Sequence, residues 1–410
     1  MATSPGGHAG LESARPGADG SVTRALFLLA IATFASVATM RVADPLLPQV
    51  ADDFGVSTGD AAIIGSAFSI AYAFGQFVHG PLGDRFGKLR MIAIMTILSA
   101  FTVSAAGFVG SLTALSMTRL MAGATAAAIA PLAMAFIGDH VAYENRQAVL
   151  ARFLSGTILG MILGQAFGGI IGDWLGWRAV FPMLGAIFLV IGLLLLLDLY
   201  RGCLPPPLLS KTLSLSSLSR NYGTLIRDRW ARIVLLIVFV EGFFFYSAFT
   251  FIGADLHQRF GLNYTTVGFT LCFFGIGGLC YALVVRQLVK RLGERGLALG
   301  GGGLLSLGLM AIIVFPLMLM PLGLFIFGLG LYMLHNTLQT NATQMAPETR
   351  GLAVSTFANS FFVGQAAGVF TGGLLVDRYG FTFVYICAAI GLLLLGTTFS
   401  RLIRERAKAA

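Results

Sequence analysis

Four ionisable residues stand inside long apolar runs of the chain, where a charge is costly. Glu241 is expected about 15 Å along a predicted helix, with no Lys or Arg within one turn. Arg41 and Asp44 are spaced i, i+3 in another run, and Arg119 lies in a third. Because hydrocarbon disfavours a charged carboxylate, such groups can take up and release protons or bind a charged substrate. A structural hydrogen bond to another helix is the alternative for Glu241.

Asp44 and Arg119 are both expected about 10 Å below the same membrane surface. The sequence therefore predicts an ion pair between them, with Arg41 as a competitor for Asp44. Protonation of Asp44 would release the arginine, which is a workable switch. The alternative is a pair that snorkels to the interface, and Pro45, directly after Asp44 near the helix end, favours it.

The amino-acid composition indicates that these residues lie in a membrane protein. The 410-residue chain is 57% hydrophobic and only 11% charged, against about 25% charged residues in soluble domains. The net charge of +9 is distributed over loops, so we expect no nucleic-acid partner. The four cysteines are scattered, so we expect no metal and no cofactor except a proton as coupling ion. A phosphate-binding loop, a nucleophile elbow and a metal-ligand cluster are all missing from the sequence, which argues against an enzyme.

Apolar runs separated by charged or turn-rich breaks predict an all-α integral membrane protein with twelve spans, each near the ~20 residues that cross a bilayer. The predicted bounds are 24–50, 58–80, 89–109, 112–138, 147–172, 178–199, 230–255, 264–287, 296–317, 321–344, 351–376 and 381–402.

Two pseudo-symmetric bundles of six helices follow from this pattern. We expect a disordered tail at 1–23, a first bundle at 24–199, a linker at 200–229, a second bundle at 230–402 and a tail at 403–410. With both chain ends on one side, that side holds 22 of the 27 Lys and Arg residues. The positive-inside rule then makes both ends and the linker cytoplasmic, in a bacterial inner membrane.

An internal repeat relates the two halves. At a constant offset of 204 residues, Asp173 falls on Asp377 and Gly176 on Gly380. Glycines spaced by four form a groove in each half, which favours close helix packing; static packing and gating are both compatible with it. The matched groove glycines are Gly160, Gly164 and Gly168 with Gly364, Gly368 and Gly372, and in the first half the spacing extends to Gly156 and Gly172.

A charged, glycine-rich segment between the second and third spans resembles the signature loop of the major facilitator superfamily. The residues that carry the resemblance are Gly80, Gly83, Asp84, Arg85, Gly87, Lys88 and Arg90. Arg119-x-x-x-Gly123 resembles the motif that this family associates with proton coupling. The glycines from Gly160 to Gly169 resemble the helix-five motif of its drug:proton antiporter branch, with Gln165 where that motif has proline.

The resemblance implies a twelve-helix transporter and a role for Asp84. In the state that is open outward, Asp84 is expected to dock at the start of the eleventh span, near Gly351, where unpaired N–H groups carry partial positive charge. Gly83 would permit the close approach. The basic residues of the segment also satisfy the positive-inside rule.

Polar residues within the spans are candidates for the lining of a substrate cavity, because polar groups turn away from lipid. Phenylalanines of the seventh span would add an aromatic wall suited to amphipathic molecules. For most of the candidates individually, an interhelical hydrogen bond is the alternative. They are Tyr72, Gln76, Gln165, Tyr246, His335, Asn336, Asn359 and Gln365.

The resulting hypothesis is a monomeric, proton-coupled secondary transporter in the lipid bilayer that works by alternating access and exports small amphipathic or drug-like compounds. An importer of a small metabolite or organic anion is the first alternative, since Arg41 and Arg119 could bind a carboxylate. A transport-inactive membrane sensor is the second.

Overall fold

A computed structural model describes residues 18–205, 222–346 and 350–409. Within these ranges, eleven helices are long and apolar enough to cross a membrane, and the eighth is divided at Gly293 (φ 60°, ψ 178°). This division gives the twelve predicted spans and confirms the all-helical fold. Spans 1–7 are Gly20–Phe54, Thr58–Phe86, Lys88–Phe108, Leu112–His140, Gly156–Leu175, Trp177–Tyr200 and Arg229–Phe260. Spans 8 and 9 share Tyr264–Val314, and spans 10–12 are Leu317–Gln344, Leu352–Tyr379 and Phe381–Lys408.

Two spans are broken where the sequence predicts continuous helices. Span 1 runs as a helix over Ala18–Arg41, a 3-10 turn over Asp44–Leu46 and a helix over Leu47–Phe54. Pro45 and Pro48 cause this break, because neither has an N–H for the helical ladder. Span 4 is likewise divided into Leu112–Ala126 and Ile129–His140, just before Pro131.

Both predicted tails are partly helical, and residues 18–23, which were expected to be disordered, belong to the first helix. The first helix begins at Ala18, and Arg24 fixes this end through two hydrogen bonds to Asp198 of span 6. The last helix continues to Ala409, because its Ala, Arg, Lys and Glu residues are good helix formers. Arg406 also lies 4.5 Å from the ring centroid of Trp230. Residues 1–17 and most of the predicted linker, 206–221, lie outside the described residues.

The signature segment is helical rather than an open loop. The helix Ile63–Phe86 continues through Pro81, and only Gly87 (φ 91°) leaves the helical conformation before the next helix begins at Lys88. Such a backbone conformation is open mainly to glycine. Its repeat partner Gly293 divides spans 8 and 9, and the pair Gly176 and Gly380 ends spans 5 and 11 in the same way.

In each bundle, the groove glycines pack against the backbone of one neighbouring helix. A Cβ added at any of the six matched glycines would lie within about 3 Å of a backbone atom of that helix, whereas one added at Gly172 would meet the side chain of Leu46. Gly156 differs, because no atom lies within 4 Å of an added Cβ, so the close packing begins at Gly160. The contacts are Gly160–Phe34, Gly164–Ala38 and Gly168–Val42 between spans 5 and 1, and Gly364–Phe239, Gly368–Phe243 and Gly372–Ser247 between spans 11 and 7.

Candidate functional site

Glu241 and His335 form a hydrogen-bonded pair in the second bundle. Glu241, on span 7, is fully buried, and Nδ1 of His335 on span 10 shares a hydrogen bond of 2.8 Å with its Oε2. Its other oxygen, Oε1, has no hydrogen-bond partner among the described residues. The His335 side chain is 23% exposed. A buried carboxyl group beside a partly exposed imidazole is a chemically competent site for taking up and releasing a proton.

Arg41, rather than Arg119, is the partner of Asp44. Arg41 Nη1 lies 3.4 Å from Asp44 Oδ2, and both side chains are buried. The break after Arg41 leaves the two residues one turn apart, while Arg119 Nη2 donates to the carbonyl of Thr39 over 3.1 Å. The predicted ion pair between Asp44 and Arg119 is therefore wrong in this structure, where Arg41 is the partner of Asp44.

An aromatic path connects the two sites across the bundle boundary. The ring centroid of His335 lies 4.6 Å from that of Phe361, and Phe361 lies 5.7 Å from Tyr246. The Arg41 guanidinium lies 4.4 Å from the Tyr246 ring centroid, a distance at which a cation is attracted to the ring face. The path thus links the buried acid of the second bundle to the ion pair of the first.

Three of the residues predicted to line a cavity take part in contacts between the bundles in this structure. Gln365 Nε2 donates to Ser69 Oγ over 2.6 Å, and the Tyr72 ring lies 4.8 Å from that of Phe362. The backbone carbonyl of Gln165 packs on Gly268, and the buried Gln165 side chain has no hydrogen-bond partner for its Nε2 among the described residues. The reason is that an inward-turned polar face can satisfy its hydrogen bonds either in a cavity or against the other bundle, and polarity alone does not distinguish them.

The remaining cavity candidates are placed as follows. Asn359 is 2% exposed, and both atoms of its amide have no partner among the described residues. Gln76 is also buried. Asn336 is half-buried and lies near Tyr281 within the second bundle. Asn359 therefore has unused capacity for a ligand or a water molecule.

In the signature segment, Asp84 pairs with Lys88 at 3.0 Å, and Lys88 also contacts Asp139 at 2.6 Å. The expected docking of Asp84 on span 11 belongs to the outward-open state, so it stays a prediction. Arg85 lies 5.4 Å from the Phe86 ring. A cavity of about 360 Å³ adjoins the segment, and Lys88, Arg90, Asp139 and His140 are among its lining residues.

The bundles meet mainly on the membrane side away from the chain ends, which we call the opposite side; the side of the chain ends is the terminal side. On the opposite side, Gln258 Nε2 donates to Thr58 Oγ1 over 3.2 Å. Nearer the middle, Ser66 Oγ donates to the carbonyl of Ala366 over 3.1 Å. These contacts close the opposite side.

On the terminal side, a linker residue lies between the bundles. The Tyr222 ring centroid is 5.7 Å from that of Phe77, and its hydroxyl lies close enough to the Thr356 side chain of span 11 to interact with it. Partial burial raises the pKa of the Tyr222 hydroxyl, so it stays protonated at neutral pH. The first bundle, the linker and the second bundle are thus connected here through one side chain.

Buried acids outside the predicted set also matter. Asp198 is 1% exposed and is held by Arg24, and Asp255 pairs with Arg259 at 3.1 Å. The sequence shows Asp198 as an acid near the end of an apolar run, which is a usable signal, but its partner lies 174 residues away. Within the described residues, no group of three His, Cys, Asp or Glu side chains could hold a metal ion.

Comparison with known proteins agrees with this architecture. The sequence model of the Major Facilitator Superfamily matches residues 29–358. The chain belongs to the major facilitator superfamily. Its members are membrane transporters rather than enzymes, which confirms the prediction from the sequence.

The chain is similar to three curated bacterial relatives. It is 28% identical to the inner membrane transport protein YnfM of Escherichia coli over 390 residues, covering 93% of this chain and 90% of YnfM. It is 28% identical to a chloramphenicol resistance protein of Streptomyces lividans, covering 67% of this chain and 69% of that protein. The match to the MFS-type transporter YceJ of Bacillus subtilis, at 28% identity, covers 61% of this chain and 62% of YceJ.

Solved transporters share the fold. A crystal structure of the peptide transporter POT superimposes with a TM-score of 0.74 at 16% identity, covering 96% of this chain and 99% of that one. At this identity, the likeness concerns the fold alone.

Proposed function

We propose that the chain is a proton-coupled secondary transporter that works by alternating access and exports small amphipathic compounds. Glu241 carries the transported proton in this proposal, and His335 exchanges it with the aqueous side. The observation that supports this most strongly is the fully buried Glu241 carboxyl group, 2.8 Å from a partly exposed imidazole.

The two-bundle arrangement supports alternating access. Substrate sites of such transporters lie at the boundary between the repeats, near the membrane midplane. The path from His335 through Phe361 and Tyr246 to Arg41 crosses that boundary. A change of charge at Glu241 can therefore alter contacts that hold the two bundles together.

Export is the direction that a relative and the site chemistry favour. One relative is named for chloramphenicol resistance. Aromatic rings surround the few polar groups of the path, a composition that suits amphipathic molecules. Import of a small organic anion is the second candidate, because the buried Arg41 Nη2 has no hydrogen-bond partner among the described residues and could bind a carboxylate.

We further propose that the terminal side faces the cytoplasm of a bacterial inner membrane and that the transporter is a monomer. The orientation rests on the positive-inside rule, since 22 of the 27 Lys and Arg residues belong to that side. The organisms of the curated relatives support the bacterial membrane.

The test compares cells that express the wild type, Glu241→Gln or the control Glu294→Gln. Glutamine keeps the size of the side chain and can still hydrogen-bond to His335, but it cannot carry a proton. Glu294 accepts a 3.3 Å hydrogen bond from Asn341 and lies outside the path. We expect wild type and control to lower susceptibility to amphipathic drugs, and Glu241→Gln to lose the effect at equal membrane abundance. Full resistance of cells that express Glu241→Gln would contradict the role of Glu241 as the proton carrier. Uptake of an organic anion by cells that express the wild type, measured without any drug, would favour import.

A further inference from the structure

We propose that Asp173 and Asp377 are two matched positioning residues that hold the opposite side closed during transport, each by binding the start of a helix in the other bundle. This inference rests on the proposed alternating access. We call the two contacts the Asp173 lock and the Asp377 lock.

The Asp173 lock joins span 5 to span 8. Asp173 Oδ1 accepts from the backbone N–H of Tyr264 over 2.9 Å, and Oδ2 accepts from that of Thr265 over 2.6 Å. These are the first two residues of the helix that begins at Tyr264. The helix has its own cap, because Asn263 Oδ1 accepts from the N–H of Thr266 over 2.9 Å. Asp173 therefore satisfies N–H groups that the local cap leaves free.

The Asp377 lock joins span 11 to span 2. Asp377 Oδ1 accepts from the backbone N–H of Gly59 over 3.0 Å, and Oδ2 accepts from the Ser57 hydroxyl over 2.6 Å. Ser57 is the cap at the start of span 2, and its Oγ also accepts from the N–H of Asp60 over 2.9 Å. A carboxylate from the second bundle is thus built into the first turn of a helix of the first bundle.

The two locks are related by the internal repeat. Asp377 lies 204 residues after Asp173, and Asn263 lies 206 residues after Ser57. A repeat-related glycine lies four residues before each acid, Gly169 and Gly373. A Cβ on either would collide with the carbonyl of the helix start that its acid binds, so both glycines allow the close approach. Two acids at equivalent positions, each accepting two hydrogen bonds from the start of a helix in the other bundle, indicate a shared mechanical role.

Opening of the opposite side must break both locks. In each one an exposed carboxylate accepts two hydrogen bonds and meets the positive end of a helix. Hydrogen bonds to a charged group and the helix dipole both stabilise such a contact. We expect removal of one carboxylate to shift the equilibrium about tenfold toward the open opposite side. Removal of both should multiply the two factors, because the locks have no partner in common.

Cys272 is a native reporter of this opening. It lies on span 8 at the bundle boundary, is 6% exposed, and its Sγ contacts the carbonyl of Ile162 on span 5 at 3.3 Å. Separation of spans 5 and 8 exposes it. The experiment measures the rate of maleimide labelling of Cys272 in the full-length protein in proteoliposomes, with Cys203, Cys280 and Cys387 replaced by serine.

We expect Asp173→Asn and Asp377→Asn each to raise the labelling rate about tenfold and the double variant to raise it further. The control Asp60→Asn removes an exposed acid from the same helix start without touching the other bundle, and should leave the rate unchanged. Ser57→Ala keeps both acids and removes one hydrogen-bond donor to Asp377, so we expect the labelling rate to rise about threefold. If an Asp→Asn protein does not fold, the labelling rate of Ser57→Ala tests the Asp377 lock in its place.

Unchanged rates in the folded variants, or an equal rise in Asp60→Asn, would overturn the locks. Labelling of wild-type Cys272 at only the rate of global unfolding would show that the chain does not alternate, and would overturn the proposed function as well. If wild-type Cys272 is labelled at a measurable rate and the lock variants do not change that rate, the two locks are refuted but the proposed function is not.

Discussion

Substitution of Gly368 by alanine should loosen the second bundle. An added Cβ would lie 2.8 Å from both the Cα and the carbonyl carbon of Phe243, whereas carbon atoms pack comfortably at about 3.5–4.0 Å. Because these are backbone atoms, no side chain can rotate away, and spans 7 and 11 must separate by about 1 Å. Overpacking of this kind costs about 1–3 kcal/mol.

The assay is thermal unfolding of the purified protein in detergent, followed by the loss of the monodisperse peak. For a cooperative unit of about 200 residues, each kcal/mol corresponds to about 2–4 °C, so Gly368→Ala should unfold several degrees below the wild type. The repeat-related Gly164→Ala should behave alike, because its added Cβ would lie 2.7 Å from the Cα of Ala38.

Gly156→Ala is the matched control. It belongs to the same glycine spacing, but an added Cβ would meet nothing within 4 Å. Alanine is the better helix former, so this variant should unfold at the wild-type temperature or slightly above it. Equal losses at Gly156 and Gly368 would refute the argument from close packing, and so would no loss at Gly368.

Two further predictions concern the signature segment and its repeat. Asp84→Asn should insert and fold normally but transport more slowly, because the resemblance gives the carboxylate a further partner, the start of span 11, in the outward-open state; wild-type rates in proteoliposomes would contradict this. Gly293→Ala should cost about 1–3 kcal/mol, because φ 60° with ψ 178° is open mainly to glycine, whereas Gly303→Ala, where an added Cβ has free space, should be neutral in the same unfolding assay.

The spans could be predicted from the sequence because bilayer thickness fixes their length. Hydropathy found all twelve, including spans 8 and 9, which one residue, Gly293, separates. The break in span 1 was missed, although Pro45 and Pro48 are visible in the sequence. The helical character of the signature segment was missed because Gly80 and Pro81 are typical of turns in water, whereas neighbouring helices tolerate them in a membrane.

The sequence identified most residues of the candidate site but not which of them form pairs. The cost of burying a charge in the membrane identified Glu241, Arg41 and Asp44 as candidates, and the polarity of its side chain identified His335. Their pairing was not predictable, because Glu241 and His335 are 94 residues apart and on different spans. The repeat showed Asp173 and Asp377 as equivalent residues, but three of their four hydrogen-bond donors are backbone N–H groups. Every sequence contains such groups, and only a folded chain brings them into position.

Transport in proteoliposomes with an imposed pH gradient tests the central claim most directly. The purified wild type is reconstituted, the gradient is set to one unit, and the accumulation of a panel of amphipathic cations, neutral drugs and organic anions is measured at steady state. One proton moved through one pH unit is worth 1.36 kcal/mol, so a coupled substrate should reach about tenfold accumulation per proton and fall to none when the gradient is collapsed. Equal transport with and without the gradient, for every substrate that moves, would contradict proton coupling.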